Sequence, residues 1–308
     1  MPSSISSSRA RAAIAMLFAG ILLLGALAEA SATVGLSRIS KIQRRIDVEA
    51  ASALHLQRLG AGEKPTLLLV GNSLLLEGID FPEFKRLIAG RYDAHRFVIE
   101  QTAYTDWYFG LKRLFRHGSQ PSELVLALSV GQMLGDVTRG EFSARYMLDI
   151  RDFPEAARRE HLDATTASNF LFAHYSGWLA SRSDIRKWVL NRLLPDAAEL
   201  ATVLGFRPAP PFSPRMVQSE IPFRLAELRA LCQEYGVKVT LLVPPAADSE
   251  DGSALVSRIG AQTGVSVLVP AKPAEFPKDL FRDGFHLNPK GADRLTSMVA
   301  TVLLDRSE

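Results

Sequence analysis

The stretch at residues 66–80, TLLLVGNSLLLEGID, constrains this chain more than any other. Its apolar run has the length of a buried strand, and the run breaks at Gly71-Asn72-Ser73, where the pattern gives way to a turn. Such a turn delivers Ser73 to the carboxyl edge of a sheet, the edge at which open α/β sheets bind ligands. A serine so placed is a candidate nucleophile, and it needs a base. Near the other end, DGFHLNPKGADRL supplies Asp283 and His286, three residues apart, ahead of Asn288-Pro289, a fitting start for a last helix. Ser73, Asp283 and His286 together have the composition of a Ser-His-Asp triad.

Further apolar runs of strand length lie at 95–100 (HRFVIE), 124–130 (LVLALSV), 237–243 (VKVTLLV) and 265–269. Helical patterns at 81–90, 107–117 and 221–235 separate them. This alternation predicts an α/β fold, a three-layer α/β/α sandwich around a mainly parallel five-stranded sheet. Between the third and fourth strands lies far more chain than a crossover needs, which marks a helical insertion at about 139–215. Helical segments at 143–162 and 169–194 and a Pro-rich hinge at 207–214 fall within it. Its arginines, among them Arg139, Arg145, Arg182 and Arg186, stand beside several acids. They read as a solvated helical face or, alternatively, as a lid that meets an anionic envelope polymer.

With 47% apolar and 22% charged residues the composition is that of a globular protein. A net charge of +3 is small for 308 residues, and no clustered basic patch or recognition motif accompanies it, so no nucleic-acid partner is expected. A single cysteine, Cys232, excludes an intramolecular disulfide and supplies no thiolate cluster for zinc. His55 sits in a helical stretch, and His95, His117, His161 and His174 are scattered without ligand spacing, so no metal site is expected. Neither a GxGxxG nor a Walker pattern follows a strand, which argues against a nucleotide cofactor. No cofactor of any kind is expected.

Residues 1–32 combine Arg9 and Arg11 with an uncharged apolar run at 12–28. That is an export signal: an uncleaved N-terminal anchor or a cleaved signal peptide, with Ala28-Glu29-Ala30 and Ala30-Ser31-Ala32 as candidate cleavage sites. Basic residues ahead of the run keep the N-terminus in the cytoplasm and place the rest outside the inner membrane. Residues 33–62 form a stalk or packing helix centred on 37–59, and residues 63–308 form the main domain with its insertion.

GNS after the first strand and DxxH before the last helix resemble the SGNH (GDSL) hydrolase superfamily, over roughly residue 66 to the C-terminus. The resemblance implies the same sandwich fold, with Ser73 as nucleophile and Asp283 and His286 completing the triad. The usual GDS is GNS here, a change that leaves the serine in place. The family draws oxyanion donors from the serine amide, a glycine after the second strand and an asparagine after the third. This chain has Ala103 in QTAYTDW and Gln132 in SVGQML at those places, so the expected hole is Ser73, Ala103 (or its neighbour Thr102) and Gln132. The implied activity is that of an exported serine esterase or O-acyltransferase acting on acyl, preferably acetyl, groups of an envelope glycan or lipid. Small ester substrates would also serve. The rival is a binding or scaffold subunit of a polysaccharide assembly, which keeps the fold without turnover.

Overall fold

The computed structural model describes residues 7–35, 40–58, 60, 62–193, 213–245, 252–271 and 275–306. Five parallel strands form one sheet: β1 (Thr66–Gly71), β2 (Asp93–Val98), β3 (Glu123–Ala127), β4 (Lys238–Leu242) and β5 (Ser266–Leu268). Their spatial order is 2-1-3-4-5. The chain therefore leaves β1 toward one edge and returns across it to reach β3, which makes the β1/β3 crevice the topological switch point.

Alternation along each strand divides the core into two layers. Leu68, Val70, Phe97, Leu124, Leu126 and Leu241 face one cluster, and Leu67, Leu69, Val98, Val125, Ala127 and Leu242 face the other. All six residues of β1 are buried, because helices cover both of its faces. The first layer holds α2 (Lys41–Leu54), α5 (Tyr104–Arg116), α11 (Pro214–Glu234) and α12 (Ser253–Thr263). The second holds α3 (Ser73–Gly78), α4 (Phe81–Ile88) and α13 (Pro289–Asp305). The α/β sandwich with a parallel five-stranded sheet is the architecture expected.

Strand and helix ends moved where side chains cap the backbone. The third strand stops at Ala127, short of residue 130, because Ser129 caps the one-turn helix α6 (Val130–Met133). Helix α5 starts at Tyr104, ahead of the expected residue 107, since Asp106 at its third position accepts from the Ala103 N–H at 2.8 Å. The second strand runs Asp93–Val98 and not 95–100.

Within the insertion, the segment expected at 143–162 is broken into α7 (Glu141–Tyr146), a 3₁₀ turn (Ile150–Asp152) and α8 (Phe153–Arg159). Asp149 caps the turn and Pro154 starts the next helix, where its missing N–H costs nothing. The second segment divides at Ser176 into α9 (Ala164–Tyr175) and α10 (Gly177–Leu193). Residues 207–212 of the Pro-rich hinge lie outside the described residues; Pro214 already opens α11, which passes through Pro222.

Helix α2 lies along the open edge of β2. Glu49 accepts from the Val98 N–H at 2.9 Å and from the Arg96 guanidinium at 2.7 Å, and Arg45 donates to the Val98 carbonyl at 2.9 Å. These bonds satisfy main-chain groups that an edge strand would otherwise offer to another chain. At the N-terminus, α1 (Ser7–Ala30) leaves its apolar side chains exposed along its length and is long and apolar enough to cross a membrane.

Candidate active site

The site begins with a glycine. Gly71 ends β1 in a place where a Cβ would lie 2.6 Å from the Ala127 carbonyl oxygen, so only a residue without a side chain lets β1 and β3 pair there. Asn72 follows, fully buried, and its carboxamide works in two directions. Its oxygen accepts from the Leu74 N–H at 3.0 Å, capping α3, and its nitrogen donates to the Thr102 carbonyl at 2.8 Å. The asparagine of GNS thus ties the first block to the loop after β2. Ser73 is the first residue of α3, and its N–H meets no carbonyl acceptor within the helix.

The opposite wall is the turn before α13. Asp283 Oδ1 accepts from the N–H groups of Phe285 (3.0 Å) and His286 (2.7 Å), and the turn passes through Gly284 at φ +79°, left-handed backbone that a glycine adopts freely. Above it, Arg282 N donates to the His286 carbonyl at 2.8 Å, and Phe281 pairs antiparallel with Leu287. The turn is fastened to the serine helix by Arg282, 2.7 Å from Glu77 of α3.

These two walls bring Ser73, His286 and Asp283 into one hydrogen-bonded chain. His286 Nε2 lies 2.9 Å from Ser73 Oγ, and His286 Nδ1 lies 2.8 Å from Asp283 Oδ2. The His286 backbone N–H, with further bonds from its ring and from Phe285 N–H, holds the Asp283 carboxyl far below the usual carboxylate range. An ionised Asp283 accepts from Nδ1–H, and that tautomer leaves Nε2 as the base facing the hydroxyl.

The remaining predicted residues are placed differently. Ala103 N–H is donated to the buried Asp106, which also accepts from Arg139 N–H (2.9 Å) and the Ser143 hydroxyl. Burial raises the Asp106 pKa. The Ala103 donor expected for the oxyanion hole is therefore engaged in the helix cap. Thr102 donates its hydroxyl to the Ile99 carbonyl and accepts from Trp107. Gln132 is half-buried on α6, beyond the end of β3, and its carboxamide oxygen accepts from the Ser129 N–H at 3.0 Å, which leaves the Nε2 donors for another partner. Arg224, buried on α11, donates to the carbonyls of Met133 (2.7 Å) and Gly135 (2.8 Å) and so fixes the backbone that follows Gln132.

Sequence reasoning passed over Asn72, Asp106, Arg224 and the Arg282–Glu77 pair. An acid three residues into α5 was the visible signal for Asp106. Nothing local announced Arg224, whose partners lie about 90 residues away in the chain. Other histidines are engaged away from the site: His95 with Ser52 and Asp93, His117 with Asp149, His55 with the Ala51 carbonyl and His174 with the Ala144 carbonyl. Among the described residues no group of three His, Cys, Asp or Glu side chains could hold a metal ion.

No protein-family model matches the chain, and no curated protein matches it. Several solved structures are similar in shape at low sequence identity. The crystal structure of TesA is 14% identical, with a TM-score of 0.40 over 77% of this chain and 97% of that one. An alpha/beta hydrolase enzyme from the metagenome of Lake Arreo, Spain, is 11% identical, with a TM-score of 0.42 over 80% and 98%. An acetylxylan esterase from Geobacillus stearothermophilus is 12% identical, with a TM-score of 0.36 over 81% and 95%. At such scores the functional reading rests on the geometry of Ser73, His286 and Asp283.

Proposed function

We propose that this protein is a serine esterase or acyl-transfer enzyme of the SGNH type. The observation that carries the reading is the unbroken hydrogen-bonded chain from Ser73 Oγ through the His286 ring to Asp283 Oδ2. Ser73 Oγ attacks the ester carbonyl while His286 Nε2 takes its proton. The negative charge that develops on the carbonyl oxygen meets the Ser73 N–H and the Gln132 Nε2 donors. Collapse of this intermediate expels the alcohol, which receives the proton from His286, and leaves an acyl-serine. A water or sugar hydroxyl, deprotonated in turn by His286, then attacks the acyl carbon, and His286 returns that proton to Ser73 Oγ as the acyl-serine bond breaks. Water makes the protein a hydrolase, and a sugar hydroxyl makes it an O-acyltransferase.

The substrate class that suits this reading is a short O-acyl ester, preferably acetyl, on an envelope glycan or lipid. Support for an extracytoplasmic setting is α1, with Arg9 and Arg11 ahead of its apolar run, which we read as an anchor in the inner membrane with the α/β domain outside. The rival reading, a binding subunit without turnover, is favoured by one observation, the engagement of the Ala103 N–H by Asp106. Labelling of the full-length protein with a serine-reactive fluorophosphonate separates the two. The proposal expects one adduct, on Ser73, together with hydrolysis of a short p-nitrophenyl ester. Absence of both leaves the binding reading in its place.

A further inference from the structure

The end of α1 is built into the insertion. Glu29 Oε1 accepts from the Gly177 N–H at 2.6 Å, and Oε2 accepts from the Ser176 hydroxyl at 2.7 Å and the Trp178 N–H at 3.2 Å, so this carboxylate caps α10. A Cβ on Gly177 would lie 2.8 Å from the Thr33 methyl, and Ala32 beside it is buried. The last turn of α1 and the first turn of α10 are thus sealed together. Glu29 and Ala32 lie in the two candidate cleavage sequences, and here both residues serve the fold.

The length of α1 sets the level of that junction. From Arg11 to Glu29 an α-helix rises about 27 Å, close to the ~30 Å hydrocarbon thickness of a bilayer. With Arg11 at one boundary, Glu29 sits at the other, and Ser176–Trp178 lie at the outer headgroup level. The side chains gathered there are unusual for a water-facing surface. Phe172 and Tyr175 are 60% and 68% exposed, and Leu171 and Trp178 are each 41% exposed. Helix α9, which carries three of these four, contains no Asp, Glu, Lys or Arg. Aromatic rings with an apolar body and a polar tip are the side chains that collect at membrane–water interfaces.

We propose that the corner between α9 and α10 rests in the outer interface of the phospholipid bilayer through which α1 passes. The insertion then holds the catalytic domain in a fixed orientation on the membrane, where a single spanning helix would leave it free to swing. This proposal rests on the anchored reading of α1.

Nitroxide accessibility tests it on the full chain in phosphatidylcholine vesicles. Burial pushes the Cys232 thiol up to about 12, so single cysteines introduced elsewhere can be labelled in the native background. Leu23→Cys reports on α1, Phe172→Cys and Tyr175→Cys on the corner, and Ser297→Cys on the exposed side of α13, across the sheet. The expected result is severalfold greater access to oxygen than to a water-soluble nickel chelate at 23, 172 and 175, and the reverse at 297. If 172 and 175 behave like 297 while 23 remains in the bilayer, the corner faces water or a protein partner and the surface proposal is overturned with the anchor intact. If 23 is open to nickel, or mass spectrometry shows the N-terminal segment removed, the anchored reading fails and the proposal fails with it.

Discussion

His286 Nε2 lies 2.9 Å from Ser73 Oγ, although 213 positions of sequence separate the two residues. The contact is supported on both sides, by Asn72 capping the serine helix and by Asp283 accepting two backbone N–H groups of the histidine turn. Replacing Ser73 by Ala removes the proposed nucleophile and should abolish fluorophosphonate labelling and ester turnover, with an unchanged far-UV circular dichroism spectrum. Full turnover in that variant would end the triad reading.

Asp283→Asn should lower kcat by about 10⁴-fold. An asparagine can still accept the Phe285 and His286 N–H groups through its oxygen, but then presents an NH₂ to Nδ1. The ring must answer with its lone pair, which moves the proton to Nε2 and disarms the base. Proton-detected NMR of the ring nitrogens checks the tautomer directly.

The pH profile follows from the sign of the Asp283 shift. Its folded pKa is depressed, so the stability this carboxylate contributes is present above the unfolded carboxylate pKa, about 3.9, and is lost as pH falls through the folded value. Between neutrality and about pH 4 Asp283 therefore keeps its charge. Asp283 should add no ionisation to the acid limb of kcat/KM above about pH 4, and one that Asp283→Asn removes there would contradict the environment described for this carboxylate.

Gln132 distinguishes a donor role from a cap. Its oxygen accepts from Ser129 N–H, so Gln132→Ala loses both the cap and the Nε2 donors, whereas Gln132→Glu keeps an acceptor for Ser129 and loses only the donors. Both should lower kcat by about 10²-fold or more with KM little changed. The alanine variant should also lose about 1 kcal/mol of stability. Retained kcat in both would move the oxyanion hole onto backbone donors alone.

Asp106 accepts from Ala103 N–H, Arg139 N–H and the Ser143 hydroxyl, all in a buried setting. Asp106→Ala orphans these donors and should cost about 1–3 kcal/mol for each buried group left unpaired. Urea unfolding monitored by the signal of the neighbouring Trp107 measures it, and a loss below about 1 kcal/mol would show that water replaces the carboxylate.

Two glycines should behave differently. Gly71→Ala drives a methyl into the Ala127 carbonyl and should cost about 1–3 kcal/mol through overpacking, with activity falling as β1 is displaced. Gly284→Ala meets open space and pays only for its left-handed backbone, about 1–2 kcal/mol. Its effect should appear first in kcat, because the strained turn carries His286. Thermal melts and steady-state kinetics on both variants test the contrast.

Local features of the sequence determined the main strands and their flanking helices and singled out Ser73, Asp283 and His286 as candidates. The buried run of β1 ending at Gly71, the turn that delivers Ser73, and the DxxH segment before a Pro-started helix are all decided within a few residues by strand periodicity, turn chemistry and helix-start preference. The same is true of the parallel α/β class, because apolar runs alternating with helical patterns leave few other ways to bury both faces of a sheet. What only the tertiary structure decided is where main-chain and side-chain donors and acceptors are spent. Ala103 N–H goes to Asp106, the Gln132 oxygen goes to Ser129, and Arg224 reaches carbonyls from a helix beyond the insertion. Glu29, which in the sequence is only the middle residue of a candidate cleavage site beside the alternative of an uncleaved anchor, caps a helix about 150 residues further on. Hydrogen bonds of this kind form between groups that the chain brings together only after it has folded. Each of these groups has only a few bonds to make, so its competing partners are weighed in three dimensions and leave no periodicity behind.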